Sequence, residues 1–268
     1  MTTQPVQTVV LLTRDGLEHR YVAAKLREVC PELVIILESG GPSRRWHRFA
    51  KLPLRVQVSR LCRKCLLKLL RDAPRREAVL RSRLGSDCSD SLADVAASSV
   101  QSWRGQPATT AVQRLGPDLL LVYGTSIVPD VVLGHARVIA LNMHTGVSPR
   151  YRGADCAFWP LANREPQWLG ASVHQCTSRL DGGRLFETSR ANLERVSCVH
   201  SAFAECVIAG SQIYAQVVGQ LVAGEQVSSI EQDLATGREY RSFMRGLSAE
   251  VRARIFVRSL RTGRRAAR

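Results

Sequence analysis

Asn142 and His144, two polar residues separated by one position, are the strongest candidates for chemistry in this sequence. Side chains two residues apart on an extended segment point to the same side of the strand. An amide that can donate to an oxyanion would then lie beside an imidazole that can transfer a proton. Asp181, which precedes two glycines, could orient or charge that imidazole. Taken singly, each of these residue types is more often structural, as a cap, a strand-end group or a turn residue.

The elements that must position these residues alternate between apolar strands and helices. Apolar runs predict strands at residues 8–12, 33–37, 118–123, 138–141 and 171–175. A helical pattern at residues 18–29 separates the first two runs. Continuous apolar strands joined by helices are typical of a parallel sheet covered on both faces. The sequence therefore predicts an α/β fold, a Rossmann-like, mostly parallel sheet with helices on both faces.

Polar or glycine-rich residues follow several of these strands, where ligands bind in open parallel sheets. They include residues 13–16, 124–126, 142–144 and 179–183. The first strand is not followed by a G-x-G-x-x-G motif, so a dinucleotide is disfavoured.

The rest of the chain gives weaker signals. Further helices are expected at residues 107–115, 191–223 and 251–260, and a short edge strand at 183–187. Residues 48–84 predict a basic helical segment broken at Pro74, whereas the Ser/Asp-rich residues 86–102 favour no element. The helix at 191–223 has enough apolar surface to make a dimer contact or to pack on the sheet.

The composition is that of an ordinary globular protein in a reducing compartment. The 268 residues are 45% hydrophobic and 23% charged, which allows one substantial core. No apolar run approaches the roughly 18 residues of a membrane span, and the N-terminus lacks the regions of a signal peptide. The cysteines are scattered, and the close pair Cys62 and Cys65 has no neighbours that would complete a zinc site. We therefore expect a cytoplasmic protein without a metal.

The net charge of +15 is concentrated in two segments. Residues 44–84 hold 14 Lys and Arg against two acids, a net +12, and residues 245–268 hold 8 Arg against one acid, a net +7. Such segments attract polyanions, and here they could also steer a phosphorylated ligand or form a solvated basic face. The part of the chain with Asn142 and His144 is nearly neutral.

Four segments of the chain closely resemble the folate-dependent formyltransferase family, which includes glycinamide ribonucleotide, methionyl-tRNA and nucleotide-sugar N-formyltransferases. They are residues 118–129, 141–153, 170–174 and 180–185. The family has an Asn-x-His pair, a Pro-x-Tyr-Arg-Gly box and a Leu-Asp-x-Gly element in this order. The resemblance covers roughly residues 7–190 and is sharp only between 118 and 187.

The resemblance implies a formyltransferase fold with a short helical C-terminal extension. A catalytic domain would span residues 1–190, with a basic helical insertion at about 44–84. Residues 191–268 would form C-terminal helices and a basic tail.

The resemblance also implies roles for individual residues. Asn142 would hold the formyl oxygen, His144 would be the general acid/base, and Asp181 would be its partner. A turn would grip the pterin ring of the donor, 10-formyltetrahydrofolate, and a box would shape the loop beside the acceptor. The turn is Ser126, Ile127 and Val128, and the box is Arg150, Tyr151 and Arg152. No metal is implied.

The sequence departs from the family pattern beside the acceptor. Family members often have Pro-Ser-Leu-Leu after the histidine, where this chain has Thr145-Gly146-Val147-Ser148. The acceptor is therefore the part of the function that the resemblance defines least. Our first expectation is a small-molecule primary amine, such as a nucleotide-linked amino sugar or a natural-product intermediate. Methionyl-tRNA, a purine-pathway acceptor, water in a deformylase, and a non-catalytic RNA-binding role for the basic helices stay open. Nucleic acid and a second copy of the chain also stay open as partners.

Overall fold

The computed structural model describes residues 6–40, 51–85, 91–177 and 179–266. Their strands are β1 Val9–Thr13, β2 Val34–Glu38, β3 Ser98–Val100, β4 Leu119–Val122, β5 Ile139–His144, β6 Tyr151–Gly153, β7 Gly170–Gln175, β8 Leu185–Arg190 and β9 Arg238–Tyr240. Their α-helices are α1 Leu17–Arg27, α2 Leu54–Leu69, α3 Asp72–Leu84, α4 Gln106–Leu115, α5 Asp130–Leu133, α6 Trp159–Ala162, α7 Val199–Val222 and α8 Leu247–Ala266.

Seven of these strands form one sheet in the order β3-β2-β1-β4-β5-β7-β8. The first five are parallel, whereas β7 runs antiparallel to β5 and β8 antiparallel to β7. This confirms the prediction of a mostly parallel α/β sheet, and β8 confirms the expected edge strand.

Alternate residues of the strands pack into two different cores, as the two-residue period of a strand requires. Val9 and Leu11 face the side that is covered by α1, α3 and α7, whereas Val10 and Leu12 face the side covered by α4 and α5. A strand that is buried on both faces needs apolar residues at every position. This is why β1 reads as a continuous apolar run.

The helix α7 is part of the cover of the sheet. Its Tyr214 is fully buried, and the hydroxyl group accepts from the Val122 N–H at 3.0 Å and donates to the Leu141 carbonyl at 3.0 Å. The helix begins at Val199 rather than at residue 191, because Cys198 and Ser201 form a capping box there. Of the two roles expected for this apolar helix, packing on the sheet accounts for its buried face.

A third core lies beside the sheet and contains the two-stranded sheet of β6 and β9. Three aromatic rings stack in it: Tyr151 lies 5.6 Å from Tyr240, and Tyr240 lies 4.4 Å from Trp159, between ring centroids. The sequence pattern predicted neither short strand, because three-residue strands carry too few positions for an alternation to be recognised.

The basic segment differs from its prediction in two ways. The helices α2 and α3 are separated at Arg71, whose φ of +51° is left-handed, and not at Pro74. Pro74 lies in the first turn of α3, where the missing N–H has no intrahelical partner to lose. In addition, Leu80 and Leu84 are buried in the core beneath the sheet, so α3 is a structural element of the fold. Residues 48–50 of the predicted helix lie outside the described residues.

The strand β3 lies within residues 86–102, for which the sequence favoured no element. It contains only Ser98, Ser99 and Val100, and it pairs with β2 at the edge of the sheet. Backbone pairing rather than side-chain pattern therefore defines this strand.

None of the described helices combines the length and the apolarity needed to cross a bilayer.

Glu250 connects the two basic segments. Its side chain is fully buried and receives hydrogen bonds from Arg63 of α2 at 2.8 Å, Arg245 at 3.1 Å and Arg254 at 2.9 Å. Burial raises the pKa of Glu250, but the three guanidinium groups outweigh it and hold the pKa below its ordinary value. Arg254 also pairs with Asp72 of α3. The two segments are thus joined by charge pairing.

Glu250→Gln should lower the free energy of unfolding by about 3 kcal/mol, because it leaves three partly buried guanidinium groups without their common carboxylate. Urea unfolding at neutral pH measures this. Glu77→Gln is the matched control, since Glu77 makes an exposed pair with Arg81 four residues on, and about 0.3–0.5 kcal/mol is expected there. Because the pKa of Glu250 is lowered, its contribution is present above the ordinary value of 4.5 and is lost as the pH falls below it. Equal stability of the two variants at neutral pH would contradict this account.

Candidate active site

A cleft of about 550 Å³ opens where β1, β4 and β5 end. Asn142 and His144 at the end of β5 line it, together with Asp181 from the loop before β8. Ser126, Ile127 and Val128, which follow β4, line it as well. The parallel register places Asn142 beside Val122 of β4 and Val122 beside Leu12 of β1. Residues far apart in sequence therefore meet because they follow neighbouring strands.

His144 has one defined ring proton. Its Nε2 lies 3.2 Å from the Tyr151 carbonyl oxygen, which can only accept, so the proton of the neutral ring is on Nε2. Its Nδ1 then carries the lone pair and lies 3.5 Å from Asp181 Oδ2. This arrangement leaves Nδ1 ready to take a proton and places a carboxylate beside the cation that would result.

The charge state of His144 differs from expectation. Burial lowers the pKa of His144, Asp181 opposes that change, and the neighbouring His174 adds to it, so the pKa lies below 6.5. The sequence suggested that Asp181 would favour an imidazolium. In the folded protein, desolvation is the larger effect, and the ring is neutral at neutral pH. His144 is therefore placed to act first as a proton acceptor.

Asp181 is a buried carboxylate with three partners. Its Oδ2 accepts from the Gly153 N–H at 2.6 Å and faces His144, while its Oδ1 lies 3.4 Å from His174 Nε2. Burial raises the pKa of Asp181, but His144, His174 and the Gly153 N–H together outweigh it and hold the pKa well below its usual range. The carboxylate is thus ionised whenever the site is folded at neutral pH.

The second glycine after Asp181 is required by a close approach of two backbone segments. A Cβ atom at Gly183 would lie 2.2 Å from the Gln175 carbonyl oxygen, closer than any side chain allows. The second glycine therefore lets the loop of Asp181 close against the end of β7.

His174 of β7 is a site residue to which the sequence analysis gave no role. Its Nδ1 lies 2.9 Å from the Gln175 carbonyl, which places the proton of the neutral ring on Nδ1. Its Nε2 can then accept from Asn142 Nδ2 at 3.2 Å. The antiparallel register pairs His174 directly with Asn142. The signal was present, because the segment at residues 170–174 carries part of the family resemblance.

A third histidine, His19 of α1, also lines the cleft, and the sequence analysis gave it no role either. The Thr13 hydroxyl donates to the Tyr123 carbonyl at 3.0 Å, so it must accept from His19 Nδ1–H at 2.9 Å. Nε2 of the neutral ring therefore carries its lone pair. Burial lowers the pKa of His19, partly offset by Glu18. A histidine in the first turn of a helix gives no sequence signal of such a position.

Gly146, where the chain departs from the family pattern, has no room for a side chain. A Cβ atom there would lie 2.5 Å from both Cys156 Cβ and His144 Nε2. The space that a serine would need is thus occupied by Cys156, which is buried and donates to the Gly153 carbonyl at 3.4 Å. Cys156 and the His144 ring therefore leave no room for the serine that family members often have at this position.

The Ser126–Val128 turn is anchored by Glu38 at the end of β2. The Glu38 carboxylate accepts from the Ser126 N–H at 2.9 Å and from its hydroxyl group, and it also pairs with Arg14 at 2.7 Å. The backbone N–H and the hydroxyl group of Ser126 therefore both bind Glu38 and hold the turn in place. Ile127 projects outward and is largely exposed, whereas Val128 is buried.

Arg150, Tyr151 and Arg152 lie behind the cleft and are not among the described residues that line it. Tyr151 is fully buried, and its hydroxyl group donates to Glu165 at 2.6 Å. Arg150 also donates to Glu165, and Arg152 donates to the Leu234 carbonyl at 3.3 Å. These side chains fix the loop that carries the Tyr151 carbonyl and the Gly153 N–H to the site.

Among the described residues, no group of three or more His, Cys, Asp or Glu is placed to hold a metal.

Comparisons with known proteins agree with this fold. The sequence profile of the formyl transferase family matches residues 80–202. The methionyl-tRNA formyltransferase of Lacticaseibacillus casei is 25% identical over 122 residues, which are 45% of this chain and 38% of that protein. The chain thus matches about two fifths of the length of such relatives.

Two solved structures illustrate the fold of the whole chain. An N-formyltransferase from Helicobacter canadensis, in complex with folinic acid and dTDP-3-aminofucose, aligns at 9% identity and a TM-score of 0.52, covering 92% of this chain and 80% of that one. Glycinamide ribonucleotide transformylase 1 from Symbiobacterium toebii aligns at 15% identity and a TM-score of 0.54, covering 85% and 95%.

The chain therefore has the fold of these formyltransferases, and its residues 80–202 are similar to the formyl transferase family. This confirms the resemblance found in the sequence. The profile match begins at residue 80, inside α3, so the N-terminal strands are related to the family through the fold.

Asp181→Asn should lower the pKa of His144 further, because it removes the negative charge that opposes the effect of burial. A ¹⁵N NMR titration of the histidine rings measures this pKa and also reports the proton on Nε2. Asp94→Asn, an exposed change away from the site, is the matched control and should leave the titration unaltered. An unchanged or raised pKa in Asp181→Asn would show that the carboxylate does not act on His144.

Proposed function

We propose that this protein is an N-formyltransferase that moves a formyl group from 10-formyltetrahydrofolate to the primary amine of a small molecule. One observation carries the proposal: Asn142, His144 and Asp181 converge in a cleft at the ends of the parallel strands. A hydrogen-bond donor, a neutral base and an ionised carboxylate are the groups that amine formylation requires.

The cleft suits a folate donor beside the Ser126–Val128 turn. Its wall there combines the apolar side chains of Val122, Val128 and Leu133 with the backbone of the turn. An apolar wall with a few fixed polar groups is typical of sites for flat, mostly apolar rings. When bound, 10-formyltetrahydrofolate supplies the formyl group. The family role of the turn and the contact of Ile127 with solvent support this placement.

Asn142 is the residue that can stabilise charge on the formyl oxygen. Its Nδ2 is held by His174 Nε2 at 3.2 Å, which orients the amide and leaves a second N–H for another acceptor. A well-placed donor of this kind contributes about 2.7–4 kcal/mol to the lowering of an acyl-transfer barrier. His174 thus acts as a positioning residue for Asn142.

His144 moves the proton. The attacking amine must lose a proton, and His144 Nδ1 can accept it directly or through one water. The resulting imidazolium is stabilised by Asp181 Oδ2 at 3.5 Å and by the Tyr151 carbonyl at Nε2. The same proton can then be delivered to the departing nitrogen.

Two observations favour a small acceptor, such as a nucleotide-linked amino sugar or a natural-product intermediate. They are the size of the cleft and the pairing of the basic residues within the protein. A volume of about 550 Å³ is in the usual range for small-molecule sites. Arginines of the basic segments, including Arg63, Arg76 and Arg83, pair with carboxylates of the protein itself. These arginines stabilise the fold through ion pairs, so fewer free cationic groups remain to bind a polyanionic acceptor.

A methionyl-tRNA acceptor is the second candidate, because the sequence relatives include methionyl-tRNA formyltransferases. One of the two solved neighbours is in complex with dTDP-3-aminofucose, and the other is named as a glycinamide ribonucleotide transformylase. The fold alone therefore does not distinguish the acceptors. Incubation with 10-formyltetrahydrofolate and each acceptor class in turn, with mass spectrometry of the product, separates them. Formate release without any amine would instead indicate a deformylase.

The donor can be tested before the acceptor is known. Isothermal titration with 5-formyltetrahydrofolate, a stable analogue of the donor, should show binding to the wild-type protein, with Asn142→Ala weakening it. Because the analogue needs no acceptor, this result is independent of the acceptor class. No heat of binding at millimolar ligand would remove the proposed function.

His144→Asn should reduce turnover by about 100-fold or more, because asparagine cannot accept the proton of the amine. Since the pKa of His144 lies below 6.5, wild-type activity should fall as the pH drops through that region, and the variant should lack this dependence. His135→Asn, outside the cleft, is the matched control. Wild-type turnover in His144→Asn would assign the ring a purely structural role.

A further inference from the structure

The helix α2 presents its apolar side to solvent. Its sequence places aliphatic and thiol side chains on one stripe with helical spacing. The stripe consists of Leu54, Val58, Leu61, Cys62, Cys65 and Leu69. Leu54 is 74% exposed and Leu69 is 81% exposed, and none of the 16 residues of the helix is buried. An amphipathic helix normally buries such a stripe in its own core, so this one lacks a partner within the described residues.

The orientation of α2 is fixed by the charge pair described above. Arg63 lies half a turn away from the stripe and reaches inward to the buried Glu250 at 2.8 Å. The side of the helix that carries Arg63 therefore faces the protein, and the apolar stripe faces outward. Rotation of the helix to bury the stripe would separate this pair.

The neighbouring helix α8 continues the same surface. Its Val251 and Ile255 are one turn apart and exposed, with Ile255 at 59%. An open valley of about 860 Å³ between the two helices is lined by Leu54, Val58 and Cys62 on one side and Leu247 and Val251 on the other. We call this joint surface the α2–α8 face. It extends over two helices roughly 24 Å and 30 Å long.

The charges on the α2–α8 face have one sign. The exposed cations Arg55 and Lys68 flank the stripe on α2, and Arg252 and Arg258 flank the exposed residues of α8. The sequence of α2 contains no Asp or Glu, and the only acid of α8 is Glu250, which is buried. Whatever covers this face must accept aliphatic side chains in its centre and supply negative charge at its edges.

We propose that the α2–α8 face docks the protein on an anionic lipid surface. Interfacial helices bind bilayers in this way, with aliphatic side chains below the headgroups and Arg or Lys side chains extended to the phosphates. A second copy of the chain would place like charges opposite each other. A nucleic acid would meet the cations but would leave the aliphatic stripe uncovered.

Vesicle co-sedimentation tests this proposal. Vesicles of phosphatidylcholine mixed equally with phosphatidylglycerol should bind the wild-type protein at least about tenfold more strongly than phosphatidylcholine alone, with weaker binding at high salt. The double variant Leu54→Asp, Val58→Asp should lose this binding. Its thermal unfolding should be unchanged, since neither side chain is buried. The matched control Val131→Asp changes an equally exposed aliphatic residue outside the face and should bind as the wild type does.

The proposal is overturned if the wild-type protein does not bind the anionic vesicles, or if the double variant binds them as well as the control does. Analytical ultracentrifugation then distinguishes the other occupants. A wild-type dimer that the double variant converts to a monomer, with no vesicle binding by either, would assign the face to a second copy of the chain. Absence of both vesicle binding and dimerisation would point instead to an acidic protein partner.

Discussion

The buried carboxylate of Asp181 is the contact on which the site depends. It joins His144 on β5, His174 on β7 and the Gly153 N–H of β6, and so links three separate segments through one ionised group. A buried carboxylate without such partners would be protonated or displaced. Here the Gly153 N–H and the two neighbouring imidazole rings hold its pKa low, and the carboxylate lies against both rings. The two rings then orient the remaining groups, with His174 holding Asn142 and the Tyr151 carbonyl defining the proton of His144.

A similar arrangement organises the other side of the molecule. Glu250 accepts hydrogen bonds from three arginines, which lie in α2, in α8 and in the segment before α8. Asp181 likewise has three partners from separate segments. Arg245 continues this network to Asp155, which lines the cleft, at 2.7 Å. The same pairing that turns Arg63 inward turns the apolar stripe of α2 outward. The structural role of Glu250 and the exposed α2–α8 face are therefore two results of one contact.

Much of the fold could be predicted from the sequence because the central strands are buried on both faces. Such strands are continuous apolar runs, and β1, β2, β4 and β5 were all found from this pattern. The elements that were missed have a different origin. The strand β3 and the pair β6 and β9 are short and are defined by backbone pairing, which leaves little trace in side-chain types. The separation of α2 from α3 depends on the backbone of Arg71, whereas proline was the more visible signal.

Three residues at the centre of the candidate site were predictable, whereas His174, His19 and much of the chemistry were not. Asn142, His144 and Asp181 were recognised from motif order, and the structure brings them together. The tautomers of His144 and His174 could not be predicted, because they depend on which carbonyl group lies beside each ring. The neutral state of His144 is also a property of burial, which no local pattern reveals. The position of Gly146 could be explained only when Cys156 was seen in the space that a side chain would need.

The central claim is that these residues surround a formyl group carried by folate. A crystal structure of the protein with 5-formyltetrahydrofolate tests it most directly. The account predicts the pterin ring against the Ser126–Val128 turn and the formyl group in the space between Asn142 and His144, with the amide of Asn142 within hydrogen-bonding reach. A folate bound elsewhere on the protein, or bound with its formyl group directed away from Asn142 and His144, would contradict it.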